Sequence, residues 1–225
     1  GLTQVRGRLS KTMIQAVWQS LGQADIIMPV LDAHLYIRHP EFLDRDLAPV
    51  AQALASDERP MIVVVNKVDR DRADFQMALD GLAGLNVKPV VLQLPIRQGD
   101  TFVGVADVLT GKARMFGDNG ATAEAEIPAA LADDISLLRD VTVENIAESD
   151  EVLMEKYLEE GSLTLEDLHA GLRSGVVRGE LTPVLTCSAL ENKGGQALLA
   201  SIEALLPSPL DRPPFEGQNG ETRSP

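Results

Sequence analysis

The sequence predicts an α/β fold built on a mostly parallel sheet, and three observations carry the prediction. Met61-Ile62-Val63-Val64-Val65 is an unbroken apolar run of strand length that stops at the polar Asn66-Lys67-Val68-Asp69; apolar runs without alternation mark strands buried on both faces. Residues at helical spacing precede it: Ile14, Val17, Trp18 and Leu21, then Leu43, Leu47, Val50 and Leu54. Between these lies a second buried-strand candidate, Ala24 to Ala33. Helix, strand, helix, strand is the order of consecutive βα units.

Taken in order, the first helix ends at Gly22, and its spacing assigns Trp18 to the core. Pro29 predicts a bend or an edge position in the strand that follows. His34, Tyr36, Arg38 and His39 read as a loop, since two histidines five apart without a Cys or acidic pattern make no metal site. Pro49 is an irregularity in the next helix. Val87 to Ile96 is strand-like and punctuated by prolines. Phe102 to Leu109 and Ala113 to Phe116 read as strands around the turn Thr110-Gly111-Lys112, and Gly117 to Glu126 as a loop. Helices are expected from Ile127 to about Val141, from Glu144 to Glu160, and after Thr164, where Thr164-Leu165-Glu166-Asp167 resembles a capping box and Leu165, Leu168 and Leu172 share a face. Thr182 to Cys187 is a strand leading into Ser188-Ala189-Leu190. Leu198, Ile202, Leu205 and Leu206 mark the last helix, stopped by Pro207-Ser208-Pro209.

With 225 residues, 44% of them hydrophobic, the chain suffices for one large domain or two modest ones. A formal net charge of −14 argues against a chain that wraps nucleic acid, which needs clustered Lys and Arg. The single cysteine, Cys187, cannot close an intramolecular disulfide and reads as a small buried residue in a reducing compartment. No run approaches 18 apolar residues and the start carries no signal-peptide core, so the expected location is the cytoplasm, without membrane contact. The acidic helices from Asp133 to Asp167 read first as a solvated face.

Ligands of open α/β sheets bind outside the carboxyl ends of the strands, where Asn66, Lys67 and Asp69 fall. A carboxylate such as Asp69 accepts two parallel hydrogen bonds from guanine N1–H and its exocyclic amine; adenine, with an acceptor at N1, cannot make that pair. Lys67 can lay its stem on the base plane, and the Asn66 amide can donate to a ring nitrogen while bracing a neighbouring loop. VNKVDR resembles the guanine-specificity motif of GTPases, and the following Ala73-Asp74-Phe75 narrows the likeness to elongation factor G.

That resemblance extends through VLQLPIRQGDTFVGVADVLTGKA, ESDEVLMEKYLEEGSLTLEDLHAGLRSGVVRGELTPVL and CSALENKGGQALLASIEALLPSPLDRPP, from about Met61 to Pro214. It implies that Ser188-Ala189-Leu190 is the second guanine-contacting loop, with the Ala189 N–H free to donate to guanine O6 and Ser188 holding the loop through the Asp69 carboxylate. It also implies GTP or GDP as ligand, Mg²⁺ for the family's chemistry, the ribosome as partner, and an insert that faces ribosomal stalk proteins. The opening GL and RGRLSKTMIQAVWQSLGQADIIMPVLDA resemble instead the second half of the G domain of Era, the ribosome-assembly GTPase, with Gly1 as the last glycine of its D-x-x-G motif.

No G-x-x-x-x-G-K-[ST] occurs in the sequence; Gly111-Lys112-Ala113 lacks the hydroxyl and reads as turn chemistry. The expectation is therefore a P-loop-NTPase-like α/β G domain lacking its P-loop half. Its parts are a partial core at 1–85, a smaller α/β insert at 86–181, the returning strand and helix at 182–211, and a disordered tail at 212–225. No catalytic residue and no metal ligand is nominated, and the chain is expected to be a monomer with negligible hydrolysis by itself. Three roles follow: a translational GTPase piece, a non-catalytic ribosome-binding module, or an Era-like assembly factor, for which no KH domain is present. A joining of two parents near VNKVD is a related expectation.

Overall fold

The computed structural model describes residues 8–34, 52–54, 57–82, 87–117, 121–208, 211, 215–216 and 222–223. In chain order the strands are β1 (Val30–Asp32), β2 (Val63–Asn66), β3 (Pro89–Val91), β4 (Gln93–Gln98), β5 (Thr101–Asp107), β6 (Lys112–Phe116), β7 (Thr122–Ala125) and β8 (Thr182–Thr186). The helices are α1 (Arg8–Leu21), α2 (Phe75–Asp80), α3 (Ala132–Glu148), α4 (Glu151–Glu160), α5 (Leu165–Val177) and α6 (Gly195–Leu205). Four strands make a parallel sheet in the order β1-β2-β8-β3, and four make an antiparallel sheet in the order β4-β5-β6-β7.

The valine run explains the centre of the parallel sheet. Successive side chains of a strand point to opposite faces, and here both faces are covered. Val63 and Val65 pack with Val91, Val184, Leu94 and Phe102 in one cluster. Ile62 and Val64 pack with Leu168, Leu172, Val176 and Leu185 in the other. All four β2-region side chains are at most 2% exposed, and each such burial contributes about 1.5–3 kcal/mol.

Pro29 behaves as the sequence predicts. β1 lies at the edge of the described parallel sheet, its Val30 is 55% exposed, and the ladder toward Ala24 shrinks to an isolated bridge between Ile27 and Met61. Trp18 is half-buried rather than core, and Val17 is 48% exposed. α1 is held at its carboxyl end: the Arg59 guanidinium donates to the carbonyls of Leu21 at 2.5 Å and Ala24 at 2.7 Å, the first of which accepts only a long 3.4 Å bond from Ala24 N besides. The expected loop with Tyr36, Arg38 and His39 and most of the helix around Pro49 lie outside the described residues; Leu54 is buried.

The run Val87 to Ile96, expected as one strand, serves two sheets. Its first part is β3 beside β8; its second is β4 beside β5; only Leu92 lies between them. Leu92 N donates to Val184 O in the parallel sheet, and Leu92 O accepts from Val108 N beside the antiparallel one, both at 3.0 Å. Residues 122–125, within the stretch expected as a loop, form β7 at the edge of the antiparallel sheet. An edge strand with small, exposed side chains shows no apolar alternation, so its sequence looks like a loop.

The helices follow their caps. α3 runs without a break through 141–144, where two helices were expected to meet, and stops instead at Ser149. Asp150 then starts α4 by accepting from Val152 N and Leu153 N, and Gly161, at φ 70°, ends it. Thr164 and Asp167 form the expected capping box on α5. The Lys156 ammonium and the Thr164 donors hold the Asp167 carboxyl down at about 2. Leu168 and Leu172 are buried, whereas Leu165 is 44% exposed. In the tail, Phe215–Glu216 pairs antiparallel with Thr222–Arg223.

Candidate functional site

The parallel pairing of β2 with β8, Val65 opposite Thr186, brings the two polar segments to the same end of the sheet. Cys187 N donates to Val65 O at 3.0 Å, so the ladder persists one step past the strand. Asn66 follows directly, and its side chain sits between the loops. Its Oδ1 accepts from Lys67 N at 2.8 Å and from Ala189 N at 3.1 Å, with the Cys187 thiol at 3.7 Å. Its Nδ2 has no partner among the described residues and is available as a donor.

The backbone turns sharply after Asn66. Lys67 has φ 62°, a left-handed conformation that is costly without glycine and typical of functional turns. Its ammonium reaches Asp32 Oδ2 at 2.5 Å across the end of β1, stretching the aliphatic stem over the carboxyl end of the sheet. Asp32 Oδ1 also accepts from His34 N at 3.0 Å, which fixes the carboxylate.

Asp69 accepts no hydrogen bond from the described residues. Its side chain is only 6% exposed, and its one ion-pair contact among them is Arg70 Nε at 3.6 Å. Its negative charge, after burial, also raises the pKa of Cys187. Both effects disfavour the reactive thiolate.

Two details of the second loop differ from expectation. The Ala189 N–H is not free: Asn66 Oδ1 takes it. Ser188 does not reach Asp69; its Oγ accepts from Glu191 N at 3.2 Å, and its backbone pairs twice with Lys193 at 2.9 and 3.0 Å. The loop thus holds itself as a local turn, which serves the same end without the carboxylate. Ser188 is buried, Ala189 exposed and Leu190 75% exposed. Gly194, at φ 82°, closes the turn where a Cβ would lie 2.6 Å from Thr186 O.

Sequence reasoning missed two cations. Arg97 of β4 donates to Val68 O at 2.6 Å, to Arg70 O at 3.2 and 3.3 Å, and to Asp100 O at 2.8 Å. Lys193 donates to Phe102 O at 2.8 Å and pairs with Glu191 at 2.7 Å. No local pattern could have found them, because both act across sequence separations of tens of residues.

Gly111 and Lys112 occupy the β5–β6 turn, with Gly111 at φ 67° and Lys112 paired to Glu124 at 2.5 Å. They form no phosphate cradle. Among the described residues no three His, Cys, Asp or Glu side chains converge where they could hold a metal ion; Mg²⁺ in nucleotide sites takes most of its ligands from phosphate and water, and no step is assigned to it. No described helix is long and apolar enough to cross a membrane.

Comparison with known proteins gives three findings. A stretch of 69 residues is 97% identical to GTPase Era of Desulfovibrio desulfuricans, covering 31% of this chain and 22% of that protein. A crystal structure from Thermus thermophilus superposes with a TM-score of 0.70 at 33% identity, over 85% of this chain and 28% of that one. The chain therefore spans under a third of each of these proteins. The model of the elongation factor Tu GTP-binding domain matches residues 11–208. With a family match over most of its length, the chain belongs to the elongation factor Tu GTP-binding-domain family, the G domains of translational GTPases.

Proposed function

We propose that this chain is the base-selecting part of a translational GTPase of the elongation factor G type, reading guanine through Asn66, Lys67, Asp69, Ser188, Ala189 and Leu190. The observation that carries the reading is the Asp69 side chain, 6% exposed and accepting no hydrogen bond from the described residues, together with an Asn66 amide whose Nδ2 has no partner among them. Guanine supplies what both lack: N1–H and the exocyclic amine for the carboxylate, and N7 for the amide donor. The Ala189 N–H then shifts its donation from Asn66 Oδ1 to guanine O6, or shares it. The Lys67 stem, stretched toward Asp32, covers one face of the base.

Hydrolysis needs preorganised charge on the phosphates, worth orders of magnitude in rate. None of the residues placed here supplies it, so the chain alone is proposed to bind and not to turn over; GTP with Mg²⁺ belongs to the family's chemistry, and the ribosome, met through the acidic insert helices, is the proposed partner. Calorimetric titration with GDP and with ADP tests this. Saturable GDP binding without ADP binding is expected, and GTP turnover by the pure chain is expected to be negligible. Equal uptake of both nucleotides, or of neither, would sink the guanine reading and favour a ribosome-binding module independent of nucleotide.

The 69 residues shared with GTPase Era support a second proposal, that the chain has two parents joined near Asn66 to Asp69. Intact mass with peptide mapping across Met61 to Phe75 in the isolated protein checks whether the join is covalent, because separate chains would leave no peptide spanning it.

A further inference from the structure

Both base-reading loops are tied to one spot on the antiparallel sheet. The Arg97 guanidinium holds the carbonyls of Val68 and Arg70, which bracket Asp69 on either side. The Lys193 ammonium holds the carbonyl of Phe102, while its backbone pairs with Ser188. Arg97 and Phe102 are themselves cross-strand partners in the β4–β5 ladder, directly beside a register shift at Ile96/Arg97 that leaves Val103 unpaired. Such bulges bend a strand and re-aim its side chains. The spot is rigid: Phe102 is 1% exposed and its ring meets that of Phe116 edge-on at 5.1 Å.

We propose that Arg97 and Lys193 are positioning residues that hang the two guanine-reading loops on the β4–β5 bulge, so that the placement of the antiparallel sheet sets how the base is read. The inference rests on the guanine reading above and adds to it a division of labour. Arg97 sets the segment that carries Asp69, whose carboxylate alone can sense the exocyclic amine. Lys193 sets the Ser188-Ala189 loop, whose N–H senses O6. A planar guanidinium bridging two carbonyls is the part a lysine cannot reproduce.

Inosine diphosphate separates these roles, because hypoxanthine keeps N1–H, O6 and N7 and lacks only the exocyclic amine. The experiment titrates the full chain and its Arg97→Ala, Arg97→Lys and Lys193→Ala variants with GDP and IDP, and follows hydrogen exchange of the amides of residues 67–72 and 188–193 without nucleotide. Arg97→Ala is expected to weaken GDP by roughly 10-fold and to pull the GDP/IDP preference toward one, with partial rescue in Arg97→Lys. Lys193→Ala is expected to weaken both nucleotides alike. A loss from general destabilisation would lower both affinities in every variant and leave the preference untouched. That outcome, or unchanged exchange at residues 67–72 in Arg97→Ala or at residues 188–193 in Lys193→Ala, would overturn the inference. If the parent chain takes up neither nucleotide, the guanine reading falls, and the exchange data alone decide whether Arg97 and Lys193 order the loops.

Discussion

Replacing Asp69 with alanine is expected to weaken GDP binding on the order of 100-fold, since the base loses two hydrogen bonds to a charged acceptor in a largely desolvated position. The fold should not suffer. The described residues donate no hydrogen bond to the Asp69 side chain, and its ion pair with the exposed Arg70 is long at 3.6 Å, so its removal costs the fold little. Thermal unfolding of the nucleotide-free variant should stay close to that of the parent. Asp69→Asn sharpens the test. An amide offers one donor and one acceptor, and xanthine, with a carbonyl where guanine has its amine, presents the complement. Nucleotide preference is expected to move from guanine to xanthine, as read by calorimetry with GDP and XDP. Retained GDP affinity in both variants would show that Asp69 does not read the base.

Gly179→Ala carries the largest expected effect on stability, about 3 kcal/mol or more. Gly179 turns the chain from α5 into β8 with φ 73°, and a Cβ there would fall on the backbone carbonyl of Glu58, well inside van der Waals contact. The obstacle is backbone, so no side-chain rotation relieves it, and the left-handed conformation adds its own penalty for a residue with a Cβ. A shift in the urea midpoint with an unchanged slope is the expected reading. Gly99→Ala serves as the reference: its φ is 58°, but nothing stands within 4 Å of the Cβ, so it should cost only the conformational part. Equal midpoints for the two variants would show that the contact with Glu58 does not matter.

What the sequence disclosed follows from how local each cause is. The valine run declares β2 because two-sided burial demands apolar residues at every position, and the Thr164–Asp167 box declares the start of α5 because all its partners lie within one turn. The pairing of Asn66-Lys67-x-Asp69 with Ser188-Ala189-Leu190 was legible through their shared position after strands. Their mutual contact, Asn66 Oδ1 to Ala189 N, was not, because it depends on β2 and β8 being neighbours in register. The same holds for Lys67 on Asp32 and for Arg97 on Val68 and Arg70. Leu92 was illegible for another reason: nothing local breaks the extended run between β3 and β4, and what changes at Leu92 is the partner strand.

The order of strands β1-β2-β8-β3 places the last one made between two that come much earlier. Roughly 120 residues separate the end of β2 from the end of β8, so at ordinary synthesis rates of about 5–20 residues per second the facing edges of β2 and β3 wait several seconds or more for their partner. During that interval the antiparallel sheet and α3 to α5 are already available, and the valine strand stays open on one side. Folding of this chain is therefore governed by the late arrival of a single central strand, and a nascent polypeptide halted before Thr182 would expose the very segment most prone to pair with another copy.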